Sequence, residues 1–262
     1  MVQWVAAGVV LPTWAATAQA QMALSAAINV SGSFRALSQR MAKAYCQQHL
    51  QVMPLAALDV LAKVRKQAQA GAADLAKGST AGAWPADLSR QLEEVQKQYT
   101  VLNTLTATAP SKASAAAVAE QADRMMTAAQ TATESLEKLA RARSAKLVDM
   151  AGRQRMLSQR MAKQYFLLAA GVDPKTSQTQ MNADAAEVKQ ALQALAAAPV
   201  STPAIRTELE LGQAQWLFFE AAMRRHPDTK GMEAVATTSE RLLEVMDRLT
   251  SLYDAALREV LG

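Results

Sequence analysis

"RALSQRMAK" (35–43) and "RMLSQRMAK" (155–163) are near copies set 120 positions apart. A phrase of this kind, repeated in register inside one chain, points to a duplicated structural unit. Each copy is rich in strong helix formers and lacks proline, so each reads as part of a helix. The breaks around them follow the same plan. Helices are predicted near 23–50, 54–77, 86–108 and 111–142, separated by Pro54, "GSTAGAWP" (78–85) and Pro110. After the second copy come a helix to about Ala170, a break at "GVDP" (171–174), a helix to Ala198, a break at "PVSTP" (199–203), a helix to Arg225, a break at "HPDTKG" (226–231) and a last helix to about Leu261. Four helices follow four.

The echo extends beyond the phrase. Gln96-Lys97-Gln98-Tyr99 is answered by Gln213-Ala214-Gln215-Trp216, and Glu120 and Met126 by Glu240 and Met246. Half of the chain is hydrophobic and aromatics make up only 5%, which suits long helices burying stripes of leucine, alanine and methionine. The fold class expected is all-α: two tandem antiparallel four-helix bundles, residues 21–142 and 143–262.

The first twenty residues, "MVQWVAAGVVLPTWAATAQA", carry no charge and close on Ala18-Gln19-Ala20, a small-x-small cleavage pattern. They are expected to be a signal peptide (1–20) that sends the protein to the periplasm. No later stretch offers about 20 uninterrupted apolar residues to span a membrane. The net charge of +5 comes from basic residues interspersed with nearly as many acids, so no nucleic-acid partner is expected. One cysteine, Cys46, can form no internal disulfide. Cys46 and His49 lie a helical turn apart, but no Cys/His cluster completes a metal site, and the C-x-x-C-H of haem attachment is missing. No cofactor is expected. No nucleophile-base pair or phosphate-binding glycine loop is present either, so the chain does not read as an enzyme.

Helical periodicity sorts the phrase into two stripes. Leu37, Met41, Ala44 and Tyr45 form one, repeated as Leu157, Met161, Gln164 and Tyr165, and this stripe faces its own bundle. Gly32, Arg35, Gln39 and Ala42 form the other, repeated as Gly152, Arg155, Gln159 and Ala162. Small residues on either side of Arg and Gln allow another helix to come close, holding a guanidinium and an amide at a helix contact. Polar groups in that position need partners. An acid elsewhere in the chain could supply them. A small oxyanion could also, since an arginine fork presents several fixed donors. Two such forks about 6 Å apart would repel by roughly 3 kcal/mol at an effective dielectric of about 20, so an anion between them would act as ligand and glue. The candidate ligand-binding residues are therefore Arg35, Arg155, Gly32, Gly152, Gln39 and Gln159.

"INVSGSFRALSQRMAKAY" (28–45) and "VDMAGRQRMLSQRMAKQY" (148–165) resemble the opening helix of the PilJ-type sensor domain of type IV pilus chemotaxis transducers, a family related to the periplasmic domains of nitrate/nitrite sensor kinases. "SERLLEVMDRLTSLYDAAL" (239–257) is similar to that family's last helix. The resemblance implies antiparallel four-helix bundles. It further implies an anion held at a dimer seam by an arginine of the opening helix, which by position is Arg35 and Arg155. The function it implies is that of a periplasmic sensor component for nitrate or nitrite, signalling through a membrane-bound signalling or transport protein. The alternative is a helical protein-protein interaction module with no small ligand.

The two copies could sit in two ways. Side by side, Arg35 would face Arg155 around one anion. End to end, each arginine would need its counterpart in a homodimer. Between Pro110 and Gly152 the chain has no proline or glycine, and helix reversals usually carry one. A continuous helix from about Ser111 to Ala170, on the order of 90 Å long, is therefore expected, stacking the bundles through a long shared helix.

Overall fold

The structure is a computed structural model that describes residues 13–80, 84–140, 143–200 and 202–261. Among these residues there are eight helices and no strand: α1 (Thr13–His49), α2 (Pro54–Thr80), α3 (Ala86–Leu105), α4 (Lys112–Ala140), α5 (Arg143–Ala169), α6 (Pro174–Ala196), α7 (Pro203–Met223) and α8 (Thr229–Leu261). The all-α expectation holds. α1 packs on α2 and α4, and α3 on α4; α5 packs on α6 and α8, and α7 on α8. These are two antiparallel four-helix bundles. None of the described helices is long and apolar enough to cross a membrane.

The predicted breaks have local causes. Pro54, Pro174 and Pro203 open α2, α6 and α7, where a missing N–H costs nothing. Thr202 caps α7 by accepting from the Ile205 amide, and Asp173 caps α6 by accepting from Thr176. α5 closes at Gly171, whose φ of 69° lets the Val172 amide reach back to the Leu167 carbonyl at 2.8 Å. α1 closes the same way, Val52 reaching Gln47 at 2.9 Å, but Gln51 takes the left-handed position there, with φ 56°. α2 runs into the predicted 78–85 loop as far as Thr80, and residues 81–83 lie outside the described ones. α1 starts at Thr13 and passes Ala20 without a break; residues 1–12 of the expected signal peptide also lie outside the described residues.

The end-to-end arrangement is wrong. α4 stops at Ala140, α5 starts at Arg143, and α5 lies along α1 over much of its length while also touching α4. The bundles therefore stand side by side, and among the described residues no helix is shared between them. The physical reason is tertiary: a reversal in a segment without proline or glycine costs little, whereas a rod would leave the α1 and α5 faces exposed. α1 is consequently buried on nearly every side from Phe34 to Gln47, Arg40 being the half-buried exception. Met41, Ala42, Ala44, Tyr45 and Cys46 are completely enclosed. Both sequence stripes are thus inside, and of the second stripe only the arginines reach across to the other bundle, the glutamines bonding within their own.

α1 and α5 run parallel. Lys163 of α5 pairs with Asp123 of α4 while Arg153 reaches Gln130, so α4 and α5 are antiparallel. Gln39 meets Ala122 and Ser31 meets Thr133, so α1 and α4 are antiparallel too. Equivalent residues 120 apart on α1 and α5 therefore lie at the same height along the seam. On α4 and α8 the offset is 117, because Thr133 lies beside Gly32 as Thr250 lies beside Gly152. Glu240 accordingly answers Asp123, not Glu120 as the sequence echo suggested, whereas the Tyr99 and Trp216 echo already carried the 117 spacing.

Candidate functional site

The repeated phrase lines the seam between the bundles, and its polar residues form layers along it. In the first layer, Arg35 lies 1% exposed and folds back along its own helix, its Nε donating to the Gly32 carbonyl at 3.2 Å. Its Nη1 donates to Gln130 of α4 at 2.6 Å and its Nη2 to Asp149 of α5 at 2.5 Å. Arg155 repeats the pattern. Nε faces the Gly152 carbonyl at 3.4 Å, Nη1 donates to Asp247 of α8 at 2.7 Å and Nη2 to Asn29 of α1 at 2.9 Å. Each arginine thus binds one residue of its own bundle and one across the seam. Each also has one carboxylate and one amide partner, with the roles exchanged: Gln130 and Asp149 on one side, Asp247 and Asn29 on the other.

The glycines make this fold-back possible. A Cβ at Gly32 would lie 2.8 Å from Arg35 Nη2, and one at Gly152 would lie 3.0 Å from Arg155 Nη2. Burial works against the charge on Arg155 and lowers its pKa; Asp247 opposes this, and Arg35 is close enough to add to the lowering. Sequence reasoning placed Arg35 and Arg155 together only as the less favoured arrangement, and the structure brings them to one seam within one chain. Their acidic partners were considered in general terms without being identified.

Beside Asp149 stands Glu137 of α4. Burial, then the charge of Asp149, push its carboxyl up to about 7, Arg35 pulling the other way. One oxygen of Glu137 is buried without a hydrogen-bond partner.

One helical turn further along, Gln39 and Gln159 are fully buried. Gln39 donates to the Ala122 carbonyl and to Asp123, and Gln159 to the Ser239 carbonyl. The amide oxygen of each has no partner. These two candidates therefore tie α1 to α4 and α5 to α8, and nothing places them on the arginine forks.

The third layer was missed by sequence reasoning. Lys43 and Lys163 are completely buried. Lys43 donates to Ser239 at 3.1 Å and pairs with Glu240 of α8, which also takes Arg40. Lys163 pairs with Asp123 of α4 at 2.6 Å. Both lysines cross the seam, and burial lowers the pKa of each. Burial also works against the Glu240 carboxylate, but Lys43 and Arg40 override it and hold the carboxyl down at about 2. The lysines stood in the repeated phrase, so duplication was the available signal. Their acids lie on helices with a different offset, which hid the pairing.

Arg160, the counterpart of Arg40, turns instead to buried Asp184 of α6 at 2.5 Å. Cys46 sits near Lys163, and burial pushes its thiol up to about 12, which removes it as a nucleophile. Among the described residues no cluster of three or more His, Cys, Asp or Glu could hold a metal.

Two four-helix bundles thus lie side by side along a buried seam of paired charges. A family model, PilJ, the N-terminal domain of type IV pili methyl-accepting chemotaxis transducers, matches residues 16–131 and again 139–242, and the chain belongs to this family. No curated protein and no solved structure matches the chain.

Proposed function

We propose that this protein is a sensor component that binds a small planar oxyanion, nitrate or nitrite, at the α1–α5 seam between Arg35 and Arg155, and reports its presence to a membrane-bound signalling or transport protein. One observation carries the reading: two buried arginines stand at equivalent heights on parallel helices, each holding both bundles. Of the five N–H groups of each guanidinium, three are engaged with Gly, Asp and an amide side chain, leaving two for a ligand. An incoming anion competes with Asp149 and Asp247 for the same positive charge. Binding therefore weakens the Arg35 bond to Asp149, which joins α1 to α5, and lets the two bundles shift. That shift is the signal. The uncharged, apolar leader with its Ala18-Gln19-Ala20 ending supports a periplasmic location.

The test is thermal denaturation with nitrate, nitrite, sulfate and phosphate, since a ligand of the folded state raises the melting temperature. Nitrate or nitrite should raise it in the native protein and not in Arg35→Ala/Arg155→Ala. Unchanged calorimetric binding in that double variant would show that the anion sits elsewhere. The alternative, an interaction module with no small ligand, draws on Leu217 and Phe218, which stand 64% and 62% exposed on α7. No response to any of the four anions would favour it.

A further inference from the structure

Two grooves built from equivalent positions flank the seam, and the first is about twice the size of the second. The first lies between α1, α2 and α8 and encloses about 580 Å³, with Val30, Ala36 and Leu37 as apolar surface and Arg155 contributing to its lining. The second, between α5 and α6, encloses about 300 Å³. Its Arg153 and Glu187 form a salt bridge that ties the two helices together. Their counterparts in the first groove are Ser33 and Gln67, which carry no charge and form no ion pair there; Gln67 instead accepts from Arg40 at 3.5 Å.

The charges differ as well. Lys63 and Lys66 line the first groove on α2, where the second bundle has Ala183 and Ala186. Both lysines are exposed and neither has a partner among the described residues. The other charges around the groove are already paired: Arg40 with Glu240, Asp74 with Lys77, and Arg155 with Asp247. Glu244 on the α8 rim is the single unpaired acid of the lining. Two free cations therefore face one free anion above an apolar floor.

We propose that this groove is a second ligand site, for an organic carboxylate with an apolar body, the carboxylate lying at Lys63 and Lys66 and the body on Val30, Ala36 and Leu37. Its volume falls in the range of small-molecule sites, and a three-oxygen anion would leave most of it empty. The inference goes beyond the seam reading and stands whether or not nitrate binds at Arg35.

The experiment is titration of the full chain with benzoate at low ionic strength, followed by calorimetry and by amide shifts of α2. Saturable binding at one site is expected, with benzamide, the uncharged analogue, binding at least tenfold more weakly. Lys63→Ala/Lys66→Ala should weaken benzoate about tenfold, two partly solvated charge contacts being lost, and Glu244→Gln should strengthen it about threefold. Ser33→Arg/Gln67→Glu copies the ion pair of the second groove into the first and should abolish binding. Should that variant fail to fold, the lysine pair decides. No saturable benzoate binding, or equal affinity in native protein and lysine variant, overturns the proposal. The nitrate response of the same samples reports separately on the seam.

Discussion

Arg35 of α1 donates to Asp149 of α5 at 2.5 Å, so the residue expected to hold a ligand already holds the neighbouring bundle. Asp149 is a built-in competitor for any anion. Asp149→Asn removes the competing charge and keeps a hydrogen-bond acceptor. Nitrate affinity, measured by calorimetry, should rise roughly tenfold, the effect of one partly screened charge at close range. A lower affinity would mean that Asp149 helps to shape the anion site instead of contesting it.

Gly32→Ala and Gly152→Ala test the fold-back of the arginines. Alanine stabilises a helix interior by up to about 1 kcal/mol relative to glycine, so a purely local effect would be stabilising. At Gly32 the added carbon meets Arg35 Nη2 at 2.8 Å, against 3.0 Å for its counterpart at Gly152. Pushing the guanidinium off Asp149 and Gln130 costs about 1.5–3 kcal/mol for a charge-assisted hydrogen bond. Denaturant unfolding should therefore show Gly32→Ala less stable than the native protein, and less stable than Gly152→Ala. Stabilisation by Gly32→Ala would indicate that Arg35 moves freely.

Glu240→Ala leaves Lys43 buried without its carboxylate. Breaking a buried pair in this way costs about 3–5 kcal/mol; the lower figure is expected because Glu240 is 26% exposed and Ser239 still accepts from Lys43. The same carboxyl sets an acid limit. Its folded pKa of about 2 lies below the ordinary carboxylate value of about 4.3. Its contribution is present above about pH 4.3 and lost as pH falls towards 2. Native protein and Glu240→Gln should converge in stability across that window, and parallel curves would argue against the assignment.

Glu137 acts with the opposite sign in a separate window. Its folded pKa of about 7 is raised, with Asp149, Arg35 and Glu134 as the charged groups around it. The stability linked to its proton is full below about pH 4.3 and is lost as pH rises through 7. Glu137→Gln should flatten the fall in melting temperature between pH 5 and 8. An unaltered slope would place the responsible titration elsewhere.

Much of the fold could be read from punctuation. Pro54, Pro174 and Pro203 open helices where the sequence placed breaks, and the repeated phrase revealed two bundles. The reversal of direction from α4 to α5 carries no such mark, because what favours it is burial of a seam formed with α1, over 90 positions earlier in the chain. Gln39 and Gln159, which bond within their own bundles and not at the arginine forks, were legible through duplication, and so were the buried arginines and the glycines they fold over. Their partners were not: Gln130 and Asp247 share an offset of 117, and Asn29 and Asp149 differ in charge, so neither pair looks like a repeat. Lys43 and Lys163 had the duplication signal but were passed over, since lysine is rarely buried without a mate.

The exchanged partners of Arg35 and Arg155 have a consequence for why the halves share one chain. Two identical first halves, associating through this face, would surround each arginine with Gln130 and Asn29 and leave the contact with two uncompensated positive charges. Two identical second halves would surround each with Asp247 and Asp149 and leave it two negative charges in excess. Only the mixed pairing is neutral. Covalent fusion guarantees that pairing at any concentration, and it also allows a change on one side without its mirror image, a freedom closed to any self-associating homodimer.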